Sequence, residues 1–175
     1  MTVRTALPAD AEALADVAAA TFRLACPPGT TEAAMAEHVA TVLSRASFAR
    51  WLADAARVLL VDDPGDGPLV GWAMVVPADP ADPDVVRAVR VRPTSELSKI
   101  YVREGQHGRG AASALLERCL DEARARGAVG MWLGTNEENA RALRFYAKHG
   151  FERVGTRRFR LGDRLEHDLV LERRL

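Results

Sequence analysis

The stretch TSELSKIYVREGQHGRGAASALLERCLDEARARG, residues 94–127, has the pattern of a strand, a glycine-rich turn and an amphipathic helix in succession. Strand-forming side chains are concentrated in residues 97–102, and glycines interrupt the pattern in residues 103–109. From Gly110 onward apolar residues recur at helical spacing, so they share one face of a predicted helix, which Gly127 is placed to end. We expect the rest of the chain to be organised around this unit.

The loop in front of this helix predicts a phosphate site. Glycines at the start of a helix let a bulky anion approach the backbone, and the first helical turn offers free N–H groups and the positive end of the helix dipole. A plain strand-to-helix turn explains the same glycines equally well. A dinucleotide-binding G-x-G-x-x-G is disfavoured, because it would have to run through Gly108, Gly110 and Ser113 and no acidic ribose ligand follows about twenty residues later.

Length and composition narrow the classes of protein. The chain has 175 residues, which predicts a single domain, residues 1–175, with a substantial core. Its 24 basic and 24 acidic residues cancel, so neither nucleic acid nor an anionic membrane is favoured as a partner. Cys26 and Cys119 are far apart and predict neither a disulfide nor a metal site. No apolar segment approaches a membrane span and no signal-like start is present, so we expect a soluble cytoplasmic protein.

The remaining segments predict further helices and strands. Helices are expected from Pro8, over 31–43, over 47–55 with Ser47 as the N-cap, and over 136–149. Strands are expected over 2–5 and 129–134, and in two hairpins, 58–62 with 69–76 and 151–161 with 165–171. The proline-rich residues 77–93 predict a surface loop, in which 85–91 fit either a turn of helix or a ragged strand.

Two motifs occur in a fixed order. HGRGAA, residues 107–112, resembles the Q/R-x-x-G-x-G/A pyrophosphate loop of the GNAT superfamily of acetyl-CoA-dependent N-acetyltransferases, although His107 stands where the family usually has Gln or Arg. NARALRFYAKHGF, residues 139–151, resembles the GNAT pattern N-x-x-A-x-x-L/F-Y-x-x-x-G-F at every fixed position. The resemblance implies an α/β (α+β) GNAT fold, a mixed, mostly antiparallel twisted sheet of about six or seven strands with helices on both faces.

The resemblance also implies a site for acetyl-CoA as co-substrate. The backbone and side chains implied to bind it are Ile100, Tyr101, Val102, His107, Gly108, Arg109, Gly110, Ala111, Ala112, Asn139, Ala142 and Phe145. Among them, the N–H of Val102 would support the thioester carbonyl and Asn139 would hydrogen-bond the pantetheine arm. Asn139 is equally explained as an exposed residue at the start of a helix.

Two side chains are implied to carry the chemistry. Tyr146 would face the sulfur, where a phenol with a pKa near 10 protonates a departing thiolate of similar basicity. The alternative is a core aromatic residue. Glu96 would take the proton of the attacking amine, since burial raises the pKa of a carboxyl toward the range of a useful base. Its alternative is a solvent-facing carboxylate on a strand.

The function implied is transfer of an acetyl group from acetyl-CoA to a primary amine of a small molecule or peptide, without a covalent enzyme intermediate. The segment ELSKIYV and the final residues FRLGDRLEHDLVLERRL look like the PaiA-like branch, so a polyamine is one acceptor that the resemblance implies. Carboxylates that would suit a polycation are available, but they also fit solvated faces: Glu32, Glu37, Glu96, Asp163, Glu166 and Asp168. The alternative function is an acetyl-CoA-binding sensor with little turnover. The closing hairpin is a candidate surface for a homodimer.

Overall fold

A computed structural model describes residues 2–26, 29–105, 110–161 and 164–175. The strands are β1 Thr2–Thr5, β2 Val58–Asp63, β3 Gly71–Val76, β4 Thr94–Val102, β5 Gly130–Asn136, β6 Glu152–Leu161 and β7 Arg164–Arg174. The α-helices are α1 Ala11–Phe22, α2 Glu32–Thr41, α3 Arg45–Ala53, α4 Pro83–Ala88, α5 Ala111–Ala125 and α6 Ala140–Lys148. Short 3-10 turns, Pro8–Asp10 and Arg23–Ala25, flank α1.

The strands form one sheet in the order β1-β2-β3-β4-β5-β7-β6. Every neighbouring pair is antiparallel except β4 and β5, which run parallel. A parallel pair requires a crossover connection, and α5 supplies it. The predicted mixed, mostly antiparallel sheet is therefore confirmed.

Helices cover both faces of this sheet. The α5 face is the larger apolar layer, in which Leu115, Leu116 and Leu120 are fully buried against strand residues such as Leu60 and Val75. On the opposite face, the α1 face, Leu14 and Phe48 pack against Trp72 and Met74 of β3. α6 packs on the α5 face through Tyr146. Among the described residues, no helix is long and apolar enough to cross a membrane.

β4 contains a bulge. Its register with β3 runs from Val102 opposite Gly71 to Lys99 opposite Met74, then shifts so that Leu97 lies opposite Val75. One extra residue on β4 is left without a partner there, which bends the strand and changes which side chains share a face.

Residues 77–93 were predicted to be a surface loop, but the segment also contains a helix. They contain α4, capped by Asp82, whose carboxylate accepts from the N–H of Asp84 at 2.8 Å. Val85 and Val89, one helical turn apart, are buried against Trp132 of β5. The sequence left a turn of helix and a ragged strand open for 85–91, and tertiary packing against the sheet decides for the helix.

Two predicted helix starts were also wrong. α3 is capped by Ser44, whose hydroxyl accepts from the N–H of Ser47 at 3.2 Å, while Ser47 itself is 1% exposed. α6 begins at Ala140 with Asn139 as its cap, because Asn136 remains in β5 opposite Asp168. In both cases the residue type was suitable for a cap and the position was off by a few residues.

Truncation of the α5 core should destabilise the fold strongly. Leu116 has no exposed surface, so Leu116→Ala leaves a cavity and should lower the free energy of unfolding by about 2–5 kcal/mol. Leu7, 58% exposed, is the matched control, and Leu7→Ala should change it by less than about 0.5 kcal/mol. Urea denaturation of both variants measures the difference. Equal effects would contradict this assignment of the core.

Candidate active site

β4 and β5 separate toward one edge of the sheet. They pair only through Thr94, Ser95 and Glu96, and beyond that point β5 continues its pairing with β7 while β4 continues with β3. Because the two strands are parallel, their carboxyl ends lie at the same edge, and α5 and α6 both begin there. A wedge-shaped gap therefore opens between two strands at the place where two helices start.

The second half of β4 presents backbone groups to this gap. The N–H of Arg103 donates to the carbonyl of Val70 at 2.9 Å, so it points toward β3. N–H directions alternate along a strand, and the N–H of Val102 therefore points away from β3, toward the side on which no described strand pairs with this part of β4. Such a donor is available to a ligand that enters the gap.

The start of α5 faces the same edge. Gly110, the N-cap, has φ 88°, a left-handed conformation in which a side chain is strained. The first N–H groups of a helix have no partner within it, and the backbone bonds of α5 begin with the N–H of Ala114. The predicted loop residues His107, Gly108 and Arg109 lie outside the described residues. Of the predicted helix-start residues, Ala111 is buried and Ala112 packs against the core from a half-buried position.

The start of α6 supplies the other wall of the gap. The side-chain oxygen of Asn139 accepts from the N–H of Ala142 at 3.0 Å, so it caps the helix, and its NH2 group is the part left for a ligand. Phe145 is half-buried and packs against His149, with ring centroids 4.5 Å apart and the ring planes tilted by 34°. Nε2 of His149 lies 3.0 Å from the hydroxyl of Ser113 on α5. This contact ties the end of α6 to the first turn of α5.

Tyr146 is the most buried polar side chain of α6. Its residue is 9% exposed, and its ring packs edge-on against Phe145 at 5.4 Å and Phe151 at 5.7 Å between centroids. Its hydroxyl makes no hydrogen bond to any residue that the structure describes. Burial raises the pKa of this phenol well above its ordinary value, and the neighbouring Tyr101 adds to the effect. Tyr146 is thus protonated throughout the neutral range.

On the α1 face, the bulge brings together side chains that a regular strand would separate. Tyr101 and Lys99 belong to this face, since Tyr101 packs on Trp72 and the ammonium of Lys99 lies 5.6 Å from the ring centre of Trp51 in α3. Leu97 belongs to the α5 face, so its neighbour Glu96 returns to the α1 face. Burial raises the pKa of Glu96, against the opposing effects of Arg157, Lys99 and Arg57.

The predicted residues therefore fall on two sides of one opening. Tyr146, Asn139, Ala142, Phe145 and the start of α5 lie on the α5 face, while Glu96 lies on the α1 face. Val102 and Ile100 occupy the β4 edge between them.

Burial also raises the pKa of Tyr101 to about 12, so both tyrosines of the chain are protonated at neutral pH.

Sequence reasoning missed the polar groups that surround Glu96. The pair Arg157 and Asp168 bridges β6 and β7, with 3.1 Å between Nη2 and Oδ2, and the guanidinium lies 5.7 Å from the ring centre of Trp132. The guanidinium of Arg157 also crosses Gly134, where a Cβ would collide with it. Only the strand register reveals this set, because Trp132 pairs with Glu96 and Arg157 with Asp168.

Comparisons with known proteins point to one family. The acetyltransferase (GNAT) family model matches residues 20–151. An uncharacterized N-acetyltransferase of Mycobacterium tuberculosis is 47% identical over 166 residues, which cover 95% of this chain and 98% of that protein. The crystal structure of the PaiA N-acetyltransferase from Thermoplasma acidophilum in complex with coenzyme A has a TM-score of 0.76 at 15% identity, covering 100% of both chains. A Salmonella typhimurium structure that holds its cofactor acetyl-CoA has a TM-score of 0.64 at 25% identity, covering 100% of this chain and 94% of that one.

The raised pKa of Glu96 has a cost in stability that a neutral side chain removes. A carboxyl whose pKa is raised by folding opposes folding at any pH above its unfolded pKa, and the penalty disappears as the pH falls below that value. Glu96→Gln should therefore unfold at higher urea concentration than the wild type at pH 7, and the difference should vanish below the ordinary pKa of 4.5. Glu37→Gln, at an exposed position on α2, should show no such pH-dependent difference. Parallel behaviour of Glu96→Gln and wild type across this pH range would refute the assignment.

Proposed function

The chain belongs to the acetyltransferase (GNAT) family, and from this premise we propose that it transfers the acetyl group of acetyl-CoA to the free amine of a small acceptor. The observation that carries the proposal is the gap between β4 and β5, with the buried phenol of Tyr146 on one side and the half-buried carboxylate of Glu96 on the other. No described side chain serves as both the acid and the base, so the proposal needs two residues.

The acetyl donor, acetyl-CoA, fits the α5 side of the gap. The free N–H groups at the start of α5, after the left-handed Gly110, suit a pyrophosphate. The NH2 group of Asn139 suits a carbonyl of the pantetheine arm, because the oxygen of the same side chain is already engaged as the cap. Half-buried apolar surface on Ala142 and Phe145 suits the methylene segments between these polar contacts.

The thioester supplies an activated acetyl group, whose carbon–sulfur bond breaks as the carbon–nitrogen bond of the amide forms. Glu96, directly or through one water, takes the proton that the amine must lose to attack. The N–H of Val102 donates to the acetyl oxygen while negative charge develops on it. Tyr146 gives its proton to the departing thiolate, and burial keeps the phenol protonated until that moment. No covalent bond to the protein is needed at any step.

Removal of the Tyr146 hydroxyl should affect turnover and not donor binding. Tyr146→Phe keeps the ring contacts with Phe145 and Phe151, so acetyl-CoA should raise the melting temperature as it does in the wild type. Loss of the general acid should lower kcat by about a hundredfold or more. Thiol release from acetyl-CoA over a panel of amines measures kcat. A panel without any thiol release, despite stabilisation by acetyl-CoA, would favour the alternative of a sensor.

The pH dependence should report the base. The rate should rise with pH as Glu96 loses its proton, and the raised pKa should place this rise above the ordinary value of 4.5. Glu96→Gln should remove this inflection from the profile and lower kcat/KM by at least about a hundredfold, which leaves the rise that comes from the free amine of the acceptor. Profiles of kcat/KM from pH 5 to 9 for both proteins measure the effect, with stability checked at each pH. An unchanged profile in Glu96→Gln would assign the base to another group.

A further inference from the structure

We propose that the acceptor carries a carboxylate in addition to its amine, and that Lys99 binds this carboxylate while Glu96 faces the amine. The inference rests on the proposed acetyl transfer and names the class of its acceptor, a zwitterionic amino acid. It contrasts with the polycationic acceptor that the resemblance to the PaiA-like branch implies.

The bulge in β4 is the first step of the argument. Glu96 and Lys99 are three residues apart, and in a regular strand they would point to opposite faces. The register shift between the two inserts one residue, so that both side chains project from the α1 face. The two charges are near enough to influence each other, yet they form no ion pair.

The second step is that both charges lack a partner. Among the described residues, neither Glu96 nor Lys99 makes a side-chain hydrogen bond or an ion pair. The neighbouring charges are already matched: Arg57 with Asp54 at 3.0 Å and Arg157 with Asp168 at 3.1 Å. Half-buried charges without partners are costly, and a ligand that satisfies both at once gains specificity from them.

The third step is the position of Lys99. Its ammonium lies over the ring of Trp51, which holds the side chain against α3 and directs it toward the face that Glu96 shares. Burial lowers the pKa of Lys99, and the cations Arg57 and Arg157 lower it further against the effect of Glu96. Burial of the imidazole lowers the pKa of His38 on α2, and the charge of Lys99 lowers it further.

A polycation fits the same surface poorly. Of the carboxylates that sequence analysis offered to it, Asp168 is matched by Arg157, and Glu32 is matched by Arg23 at 2.6 Å. Glu37 is exposed on α2, and Asp163 and the side chain of Glu166 lie outside the described part of the chain. Among the described candidates, Glu96 is the carboxylate left at the opening, and the charge of Lys99 acts on it. The ammonium of Lys99 would repel a second ammonium of a polyamine, whereas it would attract a carboxylate.

The test compares acceptors that differ only in the carboxylate. Thiol release from acetyl-CoA is measured with a series of α- and ω-amino acids, each beside its own carboxamide, and with putrescine and spermidine. The proteins are wild type, Lys99→Met, Lys99→Arg and the control Lys148→Met, which removes the other lysine of the chain from an exposed position on α6. Melting temperatures with and without acetyl-CoA establish that each variant is folded and binds the donor.

The expected result is a preference of about ten to a hundredfold in kcat/KM for at least one amino acid over its carboxamide, as one charged hydrogen bond provides. Lys99→Met should abolish this preference by raising KM for the amino acid, with turnover of the carboxamide retained. Lys99→Arg should recover part of it, and Lys148→Met should keep all of it. A merely structural role of Lys99 would lower the rates for both acceptors alike.

Two outcomes overturn the inference, and they are distinct. Equal rates for every amino acid and its carboxamide, or a preference for spermidine that Lys99→Met leaves intact, refute the carboxylate while acetyl transfer stands. Absence of thiol release with all amines refutes acetyl transfer and the inference together. If the Lys99 variants do not fold, the wild-type comparison of amino acid and carboxamide decides alone.

Discussion

The separation of β4 from β5 is the constraint on which the rest of the structure depends. Two parallel strands normally satisfy each other's backbone groups along their whole length, and here they do so over three residues. The unpaired backbone that results is tolerable only where a ligand or solvent reaches it. Everything assigned to the site borders this gap: the N–H of Val102, the starts of α5 and α6, and Tyr146. The strand pairing that is missing from the sheet is therefore what leaves room for the proposed binding site.

A second constraint, the bulge in β4, separates the chemistry of the two faces. After the bulge, Ile100 and Val102 contribute to the apolar layer under α5, while Lys99 and Tyr101 project toward α1 and α3. Before the bulge, Leu97 lies on the α5 face and Glu96 lies on the α1 face. One additional residue thus keeps the hydrophobic layer continuous and still delivers two opposite charges to the same face. Donor binding and acceptor binding can consequently be shaped by different helices with little interference.

The sequence was informative where local patterns coincide with tertiary packing. The α5 periodicity, the order of strands and the motif that begins at Asn139 are local features, and the architecture they predicted is present. α4 was left open between helix and strand because its stability comes from two valines that contact Trp132, a partner far away in the sequence. Lys99 was missed for a related reason. The face of β4 on which its side chain lies depends on the bulge, and no residue type in the sequence indicates that bulge. The pairing of Arg157 with Asp168 likewise required the register of β6 on β7.

Asn139 illustrates how two demands on one side chain restrict its identity. Its oxygen caps α6, and its NH2 group remains as a donor at the gap. Serine, threonine and aspartate cap helices as well, but none of them has an amide NH2 group to offer. Glutamine has that group, yet its longer side chain is not among the preferred caps. Asparagine is therefore the single standard amino acid that meets both requirements, so natural variation at this position should be narrower than either the helix or the ligand alone would impose.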